Sequence, residues 1–127
     1  MNLNDFNRLD EVISKNDFHL LLGQVFLHKD NLSKDILIDC INILGDKFSK
    51  FYDYNELKNK ERFELSNTLI GITDFTDFDS IEQLIGIMFC FRLNDYCLYL
   101  KCNLLNIYSD VIIKEIQAAI IEYETLL

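Results

Sequence analysis

Few side chains in this 127-residue chain could do chemistry, and their spacing narrows that chemistry further. The two histidines, His19 and His28, are too far apart to share a helix face as an i, i+4 zinc pair, and no HExxH occurs. His19 reads as an edge-of-core residue and His28 as a solvent-facing residue in the last turn of its helix. The four cysteines, Cys40, Cys90, Cys97 and Cys102, form no CxxC and sit among Ile, Leu and Phe. They read as small buried hydrophobes in a reducing cytosol, and no Cys–His nucleophilic pair is flagged. Phosphate-cradling GxGxxG and GxxxxGK[ST] and the nucleophile elbow GxSxG are absent from the sequence. Nothing here reads as an enzyme or as a cofactor or metal site.

Carboxylates are the one abundant reactive type, and they are unevenly placed. Net charge is −9, yet no Lys or Arg occurs between Arg62 and Arg92, where Glu64, Asp74, Asp77, Asp79 and Glu82 lie. Within that window residues 73–79 read TDFTDFD. The spacing is not that of an EF-hand loop, which needs acids or amides at positions 1, 3 and 5, Gly at 6 and Glu at 12. A carboxylate pair for hydrolysis would need a lined pocket, which no motif announces. An acidic field repels nucleic acid and anionic membrane and attracts basic partners. Aromatic rings beside acids are what an interface for a basic protein would use, charge for steering and rings for the buried centre. The partner-binding candidates are therefore Asp74, Phe75, Asp77, Phe78, Asp79 and Glu82, followed by Tyr52, Asp53 and Tyr54, where the theme recurs. A second reading stays open beside this one: the two phenylalanines tuck under the turn while the acids cap the next helix.

The elements that position these residues follow from apolar periodicity. Leu3, Phe6, Leu9 and Val12/Ile13 predict a short helix over 3–14 that caps one end. Phe18, Leu21, Leu22, Val25 and Phe26 predict a helix over 17–29, with Asn16 or Asp17 as N-cap. Further helices are predicted over 34–51, 56–71, 80–92, 95–107 and 110–126, with Asp79-Ser80-Ile81-Glu82 as a capping box and Ser109-Asp110 as the last cap. The four glycines each follow two aliphatic residues and read as close helix packing or C-caps. Residues 88–102, rich in strand formers around Asn94-Asp95, give the alternative of an α+β fold with a short β-hairpin. Internal similarity favours helix there: Asn16-Asp17-Phe18-His19-Leu20-Leu21-Leu22 resembles Asn94-Asp95-Tyr96-Cys97-Leu98-Tyr99-Leu100, and Asn55-Glu56-Leu57 stands halfway, a period near 39 residues. The expected fold is thus one all-α domain over 1–127, of six to seven helices stacked as hairpins, HEAT- or armadillo-like without their signature residues. No apolar run approaches the ~20 residues of a membrane span, and the acidic N-terminus is not a signal peptide.

In its general character the chain resembles the all-helical, acidic immunity proteins of bacterial contact-dependent inhibition and other polymorphic toxin systems. It is small, acidic, free of Pro and poor in Ala, and its abundant Asn and Ile fit an AT-rich genome. The resemblance implies a cytoplasmic protein that binds one cognate toxin domain, a basic nuclease, and occludes its active site without turnover. A helical-repeat scaffold or adaptor that binds a protein or peptide is the alternative.

Overall fold

The computed structural model describes residues 13–127, and among these there is no strand. Six α-helices alternate between two layers: α1 (Lys15–His28), α2 (Lys34–Phe51), α3 (Asn59–Ile72), α4 (Phe78–Phe91), α5 (Asn94–Asn103) and α6 (Asp110–Glu124). Short 3-10 turns at Lys29–Asn31, Tyr54–Glu56 and Leu104–Asn106 join some of them. The helix expected over 3–14 falls almost wholly outside the described residues. Its last apolar residue, Ile13, is buried.

Four of the helices start where a capping side chain satisfies an orphan backbone donor. Ser14 accepts from the Asp17 N–H at 3.1 Å, Ser33 from Ile36 at 3.3 Å, Asp77 from Ser80 at 3.1 Å and Ser109 from Ile112 at 3.3 Å. Two cap assignments are thereby corrected. The cap of α1 is Ser14 rather than Asn16 or Asp17, and the cap of α4 is Asp77 rather than Asp79. In both cases the short side chain reaches the N–H three residues on, so the helix opens earlier than its apolar stripe. Asp79 instead occupies the first turn of α4. Glu61 caps α3 from within, accepting the Lys58 N–H at 2.9 Å, half of a capping box.

The segment that could have been a β-hairpin is a helix break. Arg92 closes α4 in the left-handed conformation (φ 56°), and the Leu93 N–H returns to the Met88 carbonyl at 3.1 Å. This is a Schellman-type end, with Leu93 buried as its hydrophobic contact. The chain then re-enters helix at Asn94, whose carbonyl oxygen accepts the Tyr123 hydroxyl.

Packing defines two layers. The helices α2, α4 and α6 lie side by side, α2 against α4 forming the most extensive interface and α4 against α6 the next within this layer. They run parallel: Lys34 and Asp77 meet at the starts of α2 and α4, while Gly45 and Phe91 meet towards their ends. Phe89 and Tyr123 likewise meet at the ends of α4 and α6, ring centroids 5.5 Å apart. The other layer holds α1, α3 and α5. Ion pairs Lys15–Glu56 (2.8 Å) and His19–Glu61 (2.6 Å) tie α1 to α3 and the turn before it, and α3 packs on α5. Between the layers, Phe18, Phe48 and Phe91 stack with centroids 5.0, 5.3 and 6.3 Å apart. All three rings are buried, where aromatic groups contribute most.

The described residues therefore form three stacked helix pairs, as the periodicity implies, but the repeat is irregular. First helices begin at Lys15, Asn59 and Asn94, the first interval longer than the second. Asn55-Glu56-Leu57 is not the opening of α3; Asn55 and Glu56 lie in the 3-10 turn before it, and Leu57 is buried. The glycine reading also divides. A Cβ on Gly45 would sit 3.3 Å from the Phe91 ring, a true close approach, whereas Gly23, Gly71 and Gly86 lie within helices and face open space.

Candidate protein-interaction surface

Residues 73–77 of the TDFTDFD segment form the turn between α3 and α4, Phe78 and Asp79 open α4, and most of the segment has a structural duty. Thr73 donates to the Leu69 carbonyl at 2.6 Å, so the Tyr96 hydroxyl, 2.8 Å away, donates to Thr73. Asp74 accepts both the Thr76 N–H (2.9 Å) and the Thr76 hydroxyl (2.6 Å) on one oxygen. Those two bonds hold its exposed carboxyl below the usual carboxylate range. Phe75 stacks on Tyr99 (centroids 5.9 Å, 28° between planes), and both Phe75 and Phe78 are half-buried against the core. The rings thus fold inward. Asp77 caps α4 and stands 3.9 Å from Lys34, while Asp74, Asp79 and Glu82 project into solvent.

The second group lies elsewhere. Tyr52 is half-buried and donates its hydroxyl to the Ile13 carbonyl, with Lys15 Nζ 6.0 Å from its ring centroid. Asp53 is exposed and accepts the Asn55 N–H at 3.0 Å, and Tyr54 begins the following 3-10 turn. Residues 52–54 follow the end of α2, whereas 73–79 lead into and open the parallel helix α4. The fold places the two groups at opposite ends of the stack, so they do not form one patch.

What the fold does bring together is an excess of acids. On α1, α3 and α5 acids and bases balance, Lys15, Lys60, Arg62 and Lys101 against Asp17, Glu61, Glu64 and Asp95. In the other layer α2 is balanced too, Lys34, Lys47 and Lys50 against Asp35, Asp39 and Asp46, but α4 carries Asp79 and Glu82 with no base, and α6 carries Asp110, Glu115, Glu122 and Glu124 against Lys114 alone. Asp35, Asp79 and Asp110 occupy the first turns of these three helices, beside the acidic 73–77 turn. Helix N-termini favour such acids, so part of this pattern serves the macrodipoles. At the opposite end Arg62 and Arg92 line a cleft of about 330 Å³ together with Asn94, Leu126 and Leu127, and Arg62 Nε donates to the Phe91 carbonyl at 3.4 Å.

Reactive groups are otherwise subdued. Cys40 and Cys97 are buried, Cys90 is half-buried, and burial pushes all three thiols up, which suits a packing role. Cys102 differs from the expectation: it is exposed on α5. His19 is half-buried on Glu61, and His28 lies half-buried in the last turn of α1. Among the described residues no three His, Cys, Asp or Glu side chains group as a metal site. No described helix is long and apolar enough to cross a membrane.

Two side chains that the sequence did not single out are the most exposed apolar groups described: Leu105 and Tyr108, 99% and 100% accessible, in the turn between α5 and α6. The residue between them in pattern, Ile107, is buried. A signal existed in the sequence: Leu104-Leu105 and Ile107-Tyr108 put more apolar groups in a short turn than one core face can take. No protein-family model matches this chain, and comparison with characterised proteins and with solved structures finds nothing similar.

Proposed function

We propose that this protein is a stoichiometric inhibitor, an immunity protein that acts in the bacterial cytoplasm. It binds a basic toxin domain, such as a nuclease, and covers its active site without turnover. The observation that carries this reading is the excess of acids on α4, α6 and the 73–77 turn, while α2 and the α1–α3–α5 layer are balanced. A face of net negative charge steers a positively charged protein, and phosphate-binding enzymes present positive surfaces; the gain in association rate is ~10–10³-fold. In this reading Asp74, Asp77, Asp79 and Glu82 supply steering charge. Phe75 and Phe78, folded inward, fix the turn that carries it.

The test is co-expression with the product of the adjacent upstream reading frame. Survival of cells that otherwise die, together with a one-to-one complex on sizing columns, supports inhibition. Death despite this protein removes the reading. Stacked helix pairs also serve adaptors that bind a peptide or helix along a groove, which is the rival reading. It predicts a complex that leaves the partner's activity intact.

A further inference from the structure

We propose that the α5–α6 turn is the anchoring point of the interface, with Leu105 and Tyr108 as the side chains that enter a pocket on a basic protein surface. The inference rests on the protein-partner reading above and names where that partner is held. Leu105 and Tyr108 are almost wholly exposed, yet the turn beneath them is fixed. Ile107 is buried below it, its N–H returns to the Leu104 carbonyl at 3.4 Å, and Ser109 caps α6. Asn103 donates to the Tyr99 carbonyl at 2.8 Å, and Asn106 reaches Asn103 at 3.5 Å. A side chain held out by a rigid turn loses little conformational entropy on binding, and Tyr is enriched among residues that dominate interfaces.

Charge complementarity selects the occupant. No Lys or Arg occurs from 102 to 113, and Asp110 stands two residues from Tyr108. The chain of contacts Asn106–Asn103–Tyr99–Phe75 connects this turn to the neighbouring one that bears Asp74 and Asp77. Two apolar anchors beside Asp110 and the turn that bears Asp74, with Asp77 facing Lys34, fit a basic surface with an apolar depression. They do not fit a second copy of this chain, because that contact would set the same aspartates against each other.

The experiment measures the affinity of the purified wild type, and of Leu105→Ser/Tyr108→Ser, for an activity-disabled form of the adjacent frame's product. Both substituted residues are exposed, so thermal melting of the double variant should match the wild type and confirm its fold. At least about a tenfold loss of affinity is expected, mostly in dissociation rate. Asp74→Asn/Asp110→Asn should instead slow association and flatten its salt dependence. A complex equally tight with the double variant overturns this inference and leaves the inhibitor reading standing. Absence of any complex with the wild type overturns both. A wild-type dimer that sedimentation shows to dissolve in the double variant assigns the turn to self-association and also overturns it.

Discussion

Phe75 and Tyr108 look alike in a sequence, an aromatic in a polar turn, and the fold gives them opposite fates. Tyr99 lies where Phe75 can stack on it, while Ile107 and Leu104 take the inward positions near Tyr108. Single contacts of this kind decide other residues too. Gly45→Ala gains up to about 1 kcal/mol of helix propensity but sets a Cβ 3.3 Å from Phe91, whose ring is locked among Phe18 and Phe48. Overpacking costs about 1–3 kcal/mol, so urea unfolding should show Gly45→Ala less stable than wild type and Gly86→Ala more stable. Tyr96 is buried, and desolvation pushes its phenol up. Tyr123 is pushed up to about 12, again chiefly by burial. A raised phenol favours the folded state fully below the ordinary Tyr value of about 10, and that advantage is lost as pH rises through the folded value. Stability should therefore begin to fall above about pH 10, and Tyr96→Phe should soften the fall while costing about 0.5–1.5 kcal/mol at neutral pH. Measurement of Tm from pH 8 to 12 separates the two effects. Burial of this sort was only partly legible in the sequence: the apolar stripe marks Tyr96 as inward, but nothing local separates Phe75 from Tyr108.

At the scale of elements the sequence was more readable. The six helices after residue 14 stand within a few residues of where the 3.6-residue periodicity puts them, because each buries one face and the cap chemistry is local. The ambiguous stretch 88–102 was settled by a backbone conformation that composition does not reveal, the left-handed Arg92. The irregular repeat was hidden for a related reason: the link before α3 holds an extra 3-10 turn, whereas α4 passes to α5 through two residues. Cap predictions belong here. Ser33→Ala, Asp77→Ala and Ser109→Ala each remove a bond to an otherwise orphan N–H and should cost about 1 kcal/mol, read from denaturant midpoints with an unchanged m-value. Asp79→Asn removes only a charge from the first turn of α4 and should cost less, about 0.3–1 kcal/mol at low salt. If Asp79→Asn proves the costlier of the two aspartate changes, the cap has been misplaced.

For the molecule as a whole, charge sorting was invisible in the sequence. A linear count finds the basic-free window between Arg62 and Arg92, but only the alternation of helices between layers shows which acids share a face. Association with a basic partner should slow steeply as ionic strength rises from about 0.01 to 0.15 M, where the screening length shrinks from about 30 to 8 Å. Stopped-flow rates that stay flat over this range would remove the steering role. The layered order has one more consequence, for synthesis. The broadest contact in the stack joins α2 to α4, with α3 between them in the chain. As the polypeptide leaves the ribosome, Leu37, Ile41, Leu44 and Phe48 of α2 have α1 to lean on but await α4 for the rest of their cover. At ~5–20 residues per second that wait is on the order of seconds. A nascent chain arrested before α4 should recruit chaperone holdases and resist refolding by itself, and one arrested beyond Leu93 should release them.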